Sequence, residues 1–208
     1  MRMPKLNDMH VHLRQGMMLA NVARHTAKRC GHALVMPNTI PAVTSPDTLA
    51  TYAKQVRAAA DGYIPLFACK VTPELTPKTV RDLKGLGLTS FKVYPEGVTT
   101  NSEGGIGGLD LISPPPSLLD CYAEMEKQNV VLCLHGEMPG VFCIDREFAF
   151  LPVVKQLRSN FPRLKIVMEH ITTKAAVDLV VSDGSDRLAA TITLHHLFLT
   201  LDDVIGDK

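Results

Sequence analysis

The sequence predicts an α/β fold, an incomplete TIM-type (β/α)8 barrel with about seven strands present and the eighth missing. Three observations carry that expectation. Short β-branched runs alternate with amphipathic stretches, and the unit recurs roughly every 25 to 30 residues, as βα units do. The runs are apolar on both faces apart from single polar residues near their C-terminal ends, which suits a parallel sheet covered by helices. No Gly-x-Gly-x-x-Gly or phosphate loop follows any run, which disfavours an open doubly wound sheet.

The first strand is expected at 8–13. With a side-chain period of two, His10 and His12 project from one face with Arg14 one step further on, while Met9, Val11 and Leu13 pack on the other. Two neutral imidazoles side by side make half of a metal site, and a cation beyond them can hold an anion. A helix should end near Gly31, before a second strand at 33–36 that runs into Pro37-Asn38. Ser45-Pro46-Asp47 opens the next helix with a hydroxyl N-cap and a proline at the first helical position. A third strand at 64–71 precedes a second such cap, Thr76-Pro77-Lys78, whose helix should end near Gly87. The fourth strand, 89–94, carries Lys92 between Phe91 and Val93, and a Gly-rich connection from Thr99 to Gly108 follows it. The remaining strands are expected at 130–134, running into His135-Gly136-Glu137, at 165–169, running into His170, and at 188–193.

Composition narrows the function classes. With 46% hydrophobic and 21% charged residues, the 208-residue chain reads as one globular domain, 1–208, able to bury a substantial core. A formal charge of +1 leaves no electrostatic footprint for nucleic acid or an anionic membrane. Met1-Arg2-Met3-Pro4-Lys5 leads into a polar strand and not into an apolar run, so no signal peptide is expected, and no stretch is long enough to span a bilayer. Cys30, Cys69, Cys121, Cys133 and Cys143 are odd in number and contain no Cys-x-x-Cys pair; they read as reduced core residues of a cytoplasmic protein.

In a closed barrel the strand ends meet at one mouth, where such folds place their chemistry. His10, His12, His135 and His170 would converge there, whereas His25, His32, His195 and His196 keep a structural reading. An ammonium among four ligand histidines is electrostatically disfavoured, so Lys92 should lose its proton through burial and neighbouring charge. A neutral amine can add carbon dioxide, giving an anionic carbamate able to bridge two divalent ions.

These segments together carry a specific resemblance. His10-Val11-His12-Leu13-Arg14, Val35-Met36-Pro37-Asn38, Phe91-Lys92-Val93-Tyr94-Pro95, Thr99-Thr100-Asn101-Ser102, Leu134-His135-Gly136-Glu137, Asp145-Arg146-Glu147, Glu169-His170-Ile171-Thr172-Thr173-Lys174 and Arg187-Leu188-Ala189-Ala190-Thr191-Ile192-Thr193 resemble the dihydroorotases. The similarity is to the homodimeric bacterial and fungal class of the amidohydrolase superfamily and runs from the first strand to the end of the chain. It implies two zinc ions per subunit: His10 and His12 on the more buried ion, His135 and His170 on the second, and carbamylated Lys92 bridging them. Arg14 and Asn38 would hold the substrate carboxylate, and Thr99 and Thr100 would lie on a mobile loop that closes over the substrate. The implied reaction is the reversible cyclisation of N-carbamoyl-L-aspartate to L-dihydroorotate in pyrimidine biosynthesis, in a homodimer. The alternatives are a hydantoinase-like or allantoinase-like amidohydrolase, or a non-catalytic metal-binding relative. The family's catalytic aspartate is expected beyond Lys208, because Asp202, Asp203 and Asp207 do not match its position. On that reading the chain is truncated, which leaves its first and seventh strands with unpaired edges.

Overall fold

A computed structural model describes residues 4–206; Met1, Arg2, Met3, Asp207 and Lys208 lie outside the described residues. Seven strands form one sheet: β1 (Leu6–Val11), β2 (Cys30–Val35), β3 (Ile64–Lys70), β4 (Ser90–Val93), β5 (Val131–His135), β6 (Lys165–Glu169) and β7 (Leu188–Ala190). Each strand pairs with the next in parallel. Sequence order is therefore spatial order, without the reversal that defines a doubly wound sheet. The helices are α1 (Gly16–Arg29), α2 (Pro46–Ala59), α3 (Pro77–Gly85), α4 (Gly108–Ile112), α5 (Pro116–Lys127), α6 (Arg146–Asn160), α7 (Lys174–Asp183) and α8 (Leu201–Ile205).

Strand parity builds the core. Phe67 and Cys69 of β3, Phe91 and Val93 of β4, Leu132 and Leu134 of β5, and Ile166 and Met168 of β6 face the helices and join one large apolar cluster. The alternate residues Leu34, Ala68 and Cys133, with Leu66, Val131 and Val167 packed against them, form a second, smaller cluster on the opposite face. Continuing that inner parity toward the C-terminal strand ends gives Lys70, Lys92, His135 and Glu169, so the inner face changes from apolar to polar along each strand. The sheet curls. Strands β1 and β6 would lie about 24 Å apart in a flat sheet, yet His10 Nδ1 lies 2.8 Å from Glu169 Oε2. Among the described residues β1 and β7 remain the two edges of an incomplete barrel.

The helix starts follow their expected chemistry. Ser45 accepts from the Thr48 amide in a reciprocal capping box, and Thr76 accepts from the Thr79 amide. Other local expectations shift. Strand β1 begins at Leu6, because Leu6 and Asn7 pair with Cys30 and His32, and it ends at Val11. His12 therefore lies just past the strand, and Arg14 sits in a left-handed turn at φ 61° that redirects the chain into α1. Helix α1 stops at Arg29 and runs directly into β2, so Gly31 and His32 belong to a strand and not to a helix end. Strand β7 is shorter than 188–193, ending at Ala190. Cys143 is exposed on a 3-10 turn, correcting its placement in the core; the other four cysteines are buried and all five are unpaired. No described helix is long and apolar enough to cross a membrane.

Leu132 is fully buried at the centre of the sheet, whereas Leu6 is 70% exposed on the β1 edge. Leu132→Ala should lower unfolding free energy by about 2–5 kcal/mol, and Leu6→Ala should change it by less than about 0.5 kcal/mol. Urea denaturation of the two variants beside the parent chain checks both values.

Candidate metal and substrate site

The mouth of the barrel is built from the ends of β1, β2, β4, β5 and β6. His10 and His12 face each other with their Nε2 atoms 3.2 Å apart. The Nδ1 atom of each ring has a dedicated partner: Glu169 Oε2 at 2.8 Å for His10 and Asn38 Oδ1 at 2.7 Å for His12. An acceptor at Nδ1 fixes that nitrogen as the protonated one and leaves the Nε2 lone pair free, the arrangement that metal-ligand imidazoles require. His170 reaches the same cluster from β6, with its ring centroid 5.3 Å from that of His10 and 4.6 Å from that of His135. His135 Nε2 contacts Glu137 Oε1 at 2.7 Å, and Arg146 holds the other oxygen of Glu137 at 3.4 Å.

Backbone geometry supports the placement of His170. Its φ of 45° is left-handed, a conformation that non-glycine residues adopt at a cost of order 1 kcal/mol. The amide of His170 donates to Thr191 Oγ1 at 2.8 Å, and that hydroxyl donates to Glu169 Oε2 at 2.7 Å. One threonine just past β7 thus restrains both the strained histidine and the carboxylate behind His10. Glu147 of α6 adds a second restraint by accepting from the amides of Thr172 and Thr173.

The electrostatics favour neutral, ligand-competent groups. His12 is pushed down to about 4, first by burial and then by His10, while its bond to Asn38 pulls the other way. His170 is pushed down to about 2, again by burial first, with Lys92, His135 and His10 adding to it. Burial opposes ionisation of Glu169, but the His10 hydrogen bond, the Lys92 charge and the Thr191 hydroxyl bring its carboxyl down to about 2. Lys92 is fully buried, and its amine has no hydrogen-bond partner. Burial lowers its pKa, with Glu169 and Cys133 acting in the opposite direction. A buried, partnerless amine is costly to leave unsatisfied, so its position calls for an additional group.

The donor set can be tested against metal geometry. Two nitrogens on one tetrahedral zinc, each about 2.0–2.1 Å away, lie about 3.3 Å apart, close to the His10–His12 separation. The pair is therefore shaped like a chelate. Among the described residues, no three His, Cys, Asp or Glu side chains are arranged together as a ligand set. The four rings form a chain of neighbours from His12 through His10 and His170 to His135, and Lys92 lies near enough for its charge to act on His12 and His170.

The expected substrate residues surround the histidines. Arg14 is exposed at the mouth, where its charge adds to the lowering of the His12 pKa by burial and His10, and Tyr52 donates to its carbonyl at 2.9 Å. Asn38 is buried, and besides His12 it binds the carbonyl of Thr100 through Nδ2 at 3.2 Å. Thr99 and Thr100 lie on a loop that is tied down. Pro95 and Ile106 form a bridge, Ser102 Oγ donates to Thr99 O at 2.7 Å, and Asn101 Nδ2 donates to Asn38 O at 2.9 Å. At Gly105 a Cβ would fall 2.1 Å from the Tyr94 carbonyl, so the close approach of loop to strand requires glycine there.

Comparison with known proteins places this arrangement. No family model matches the chain. The curated dihydroorotase of Neisseria gonorrhoeae is 42% identical over 205 residues, covering 96% of this chain and 58% of that protein. Among solved structures, the dihydroorotase of Saccharomyces cerevisiae, in complex with 5-fluoroorotic acid, superposes with a TM-score of 0.89 at 34% identity, covering 98% of this chain and 59% of that one. This chain is a homologue of the dihydroorotases. The dihydroorotase from Campylobacter jejuni gives a TM-score of 0.87 at 39% identity, covering 98% of this chain and 58% of that chain. The homologue thus spans a little under three fifths of the length of the dihydroorotases it matches.

Three contributors to this dihydroorotase-like mouth have no role in the sequence reading: Glu169 and Thr191 behind His10, and Glu137 beside His135. Glu169 was legible as an acid on the inner parity of β6, but its partner is about 160 residues away and only the curl brings the two together. The pH dependence of the metal-free homologue follows from His12. An unfolded chain takes up this proton below about 6.5, the folded chain only below about 4, so stability should rise between pH 4 and 6.5 and level off above. Thermal unfolding of chelator-treated protein across that range checks the direction, and a flat profile contradicts it.

Proposed function

We propose that the chain forms the metal- and substrate-binding part of a dihydroorotase, a cyclic amidohydrolase that interconverts N-carbamoyl-L-aspartate and L-dihydroorotate. The observation that carries this reading is the facing His10–His12 pair beside a fully buried, partnerless Lys92 amine. His10 and His12 would hold one zinc ion, His135 and His170 the second, and Lys92 would bridge them as a carbamate. Carbamylation joins the neutral Nζ to the carbon of carbon dioxide and releases one proton to solvent; burial of Lys92 favours the neutral amine that this needs. Divalent ions bound there supply Lewis acidity and make water a nucleophile near neutral pH.

The remaining roles belong to the protein's own groups. The planar guanidinium of Arg14 matches a carboxylate, and the Asn38 amide, already fixed against His12 and Thr100, lies beside the same space. Thr99 and Thr100 would cover the bound ring and exclude water. The yeast relative in complex with 5-fluoroorotic acid, a carboxylated pyrimidine, supports this substrate class. The reading includes a homodimer in the cytoplasm.

Purified chain loaded with zinc should carry close to two ions per subunit by elemental analysis, and His135→Ala should lower that number. Intact-mass analysis in bicarbonate buffer should show one added carbon dioxide, lost in Lys92→Ala. L-dihydroorotate should bind by calorimetry, and Arg14→Met should weaken it by about 1.5–3 kcal/mol, roughly 10- to 100-fold. Binding of hydantoin in place of dihydroorotate would favour the hydantoinase-like alternative. One ion or none in the unaltered protein would sink the two-metal reading.

A further inference from the structure

Lys70 is the second lysine buried in the barrel, 2% exposed at the end of β3 and directly opposite Lys92 in the strand register. Unlike Lys92 it has protein acceptors. Its Nζ donates to the backbone carbonyls of Asn101 at 3.2 Å and Glu103 at 2.7 Å, both on the loop that carries Thr99 and Thr100. Burial lowers the Lys70 pKa, whereas Glu103 and Glu96 on that loop raise it, so the loop favours the charged form.

The loop closes on itself through the Pro95–Ile106 bridge and the bonds of Ser102 to Gly97 and Thr99, and Lys70 adds a tie from the barrel wall. Lys70 and Glu103 also line a pocket of about 360 Å³ together with Thr44, Thr72, Glu74 and Leu75. The backbone is also turned through left-handed positions at Gly97, Asn101 and Gly104, with φ of 76°, 55° and 66°. Carbonyls turned out of regular structure in this way need partners, and side chains supply them here. On the other side the loop is captured by Asn38, which also binds His12. Lys70 and Asn38 therefore grip neighbouring carbonyls of one short stretch, at Thr100, Asn101 and Glu103.

We propose that Lys70 is a positioning residue that latches the 96–105 loop, and with it Thr99 and Thr100, beside the histidine cluster. The role in ligand binding rests on the dihydroorotase reading above; the latch itself does not. Lys70→Met keeps the aliphatic stem and removes the donors. In zinc-loaded Lys70→Met, amide hydrogen exchange at residues 99–104 should quicken at least tenfold while β3 and β4 amides keep their protection. Affinity for L-dihydroorotate should fall about tenfold with zinc content unchanged, and Lys70→Arg, which keeps the donors, should recover part of both effects. Unchanged exchange at 99–104 would overturn the latch whatever the chain binds. Faster exchange with unchanged affinity would overturn its connection to the ligand. Failure of the unaltered protein to bind dihydroorotate would count against the functional reading alone, because the exchange measurement still decides whether Lys70 holds the loop.

Discussion

The contact between His10 at the end of β1 and Glu169 at the end of β6 is the constraint on which the mouth depends. Two strands about 24 Å apart in a flat sheet meet there within hydrogen-bond distance. The curl that makes this possible turns a row of strand ends into a ring, and only in a ring can four histidines from three strands approach one another. The Glu169 side chain is 1% exposed, so losing His10 would leave a buried carboxylate without its main partner, a defect that typically costs about 3–5 kcal/mol. Curl, ligand orientation and charge balance are thereby tied to one pair of residues.

Around that pair the inner face is divided by charge and not by shape alone. Lys70 and Lys92 are register partners on adjacent strands, both buried and both with pKa values lowered by desolvation. Burial disfavours an ammonium at both positions, and the two side chains meet that cost differently. Lys70 turns its amine to two loop carbonyls beside acidic residues and keeps a reason to stay charged. Lys92 has no such acceptor and lies near Glu169 and over the Tyr94 ring, with its amine unpartnered. The same residue type at the same level of the barrel is thus satisfied by loop carbonyls in one strand and left without a partner in the next.

Much of this was legible from residue order. The parity of Phe67, Phe91, Leu132 and Ile166 against Leu66, Ser90, Val131 and Val167 announces strands buried on both faces, and the caps at Ser45 and Thr76 announce the helices between them. Local signals were weaker where pairing overrode them. Gly31 looks like a helix end, yet it lies in β2 because the strand starts immediately after Arg29 to pair with β1. The Gly-rich stretch after Thr99 looks flexible, yet it is held through its carbonyls, and backbone acceptors leave no trace in a sequence. Arg14 follows the histidines at a strand period, but a left-handed turn and not the strand brings it to the mouth.

The sequence by itself determined the succession of strands and helices, the apolar faces and the identity of the metal-ligand candidates, because side-chain period and capping chemistry are local properties. Tertiary structure alone decided which nitrogen of His10 and of His12 has a partner, which buried lysine is satisfied and which is orphaned, and what holds the 96–105 loop. Those outcomes depend on partners such as Glu169 for His10 and Asn101 for Lys70, separated along the chain and joined only by the curl of the sheet. Hydrogen-bond pairing and desolvation are set by three-dimensional neighbours, so they become readable only once the strand ends have met.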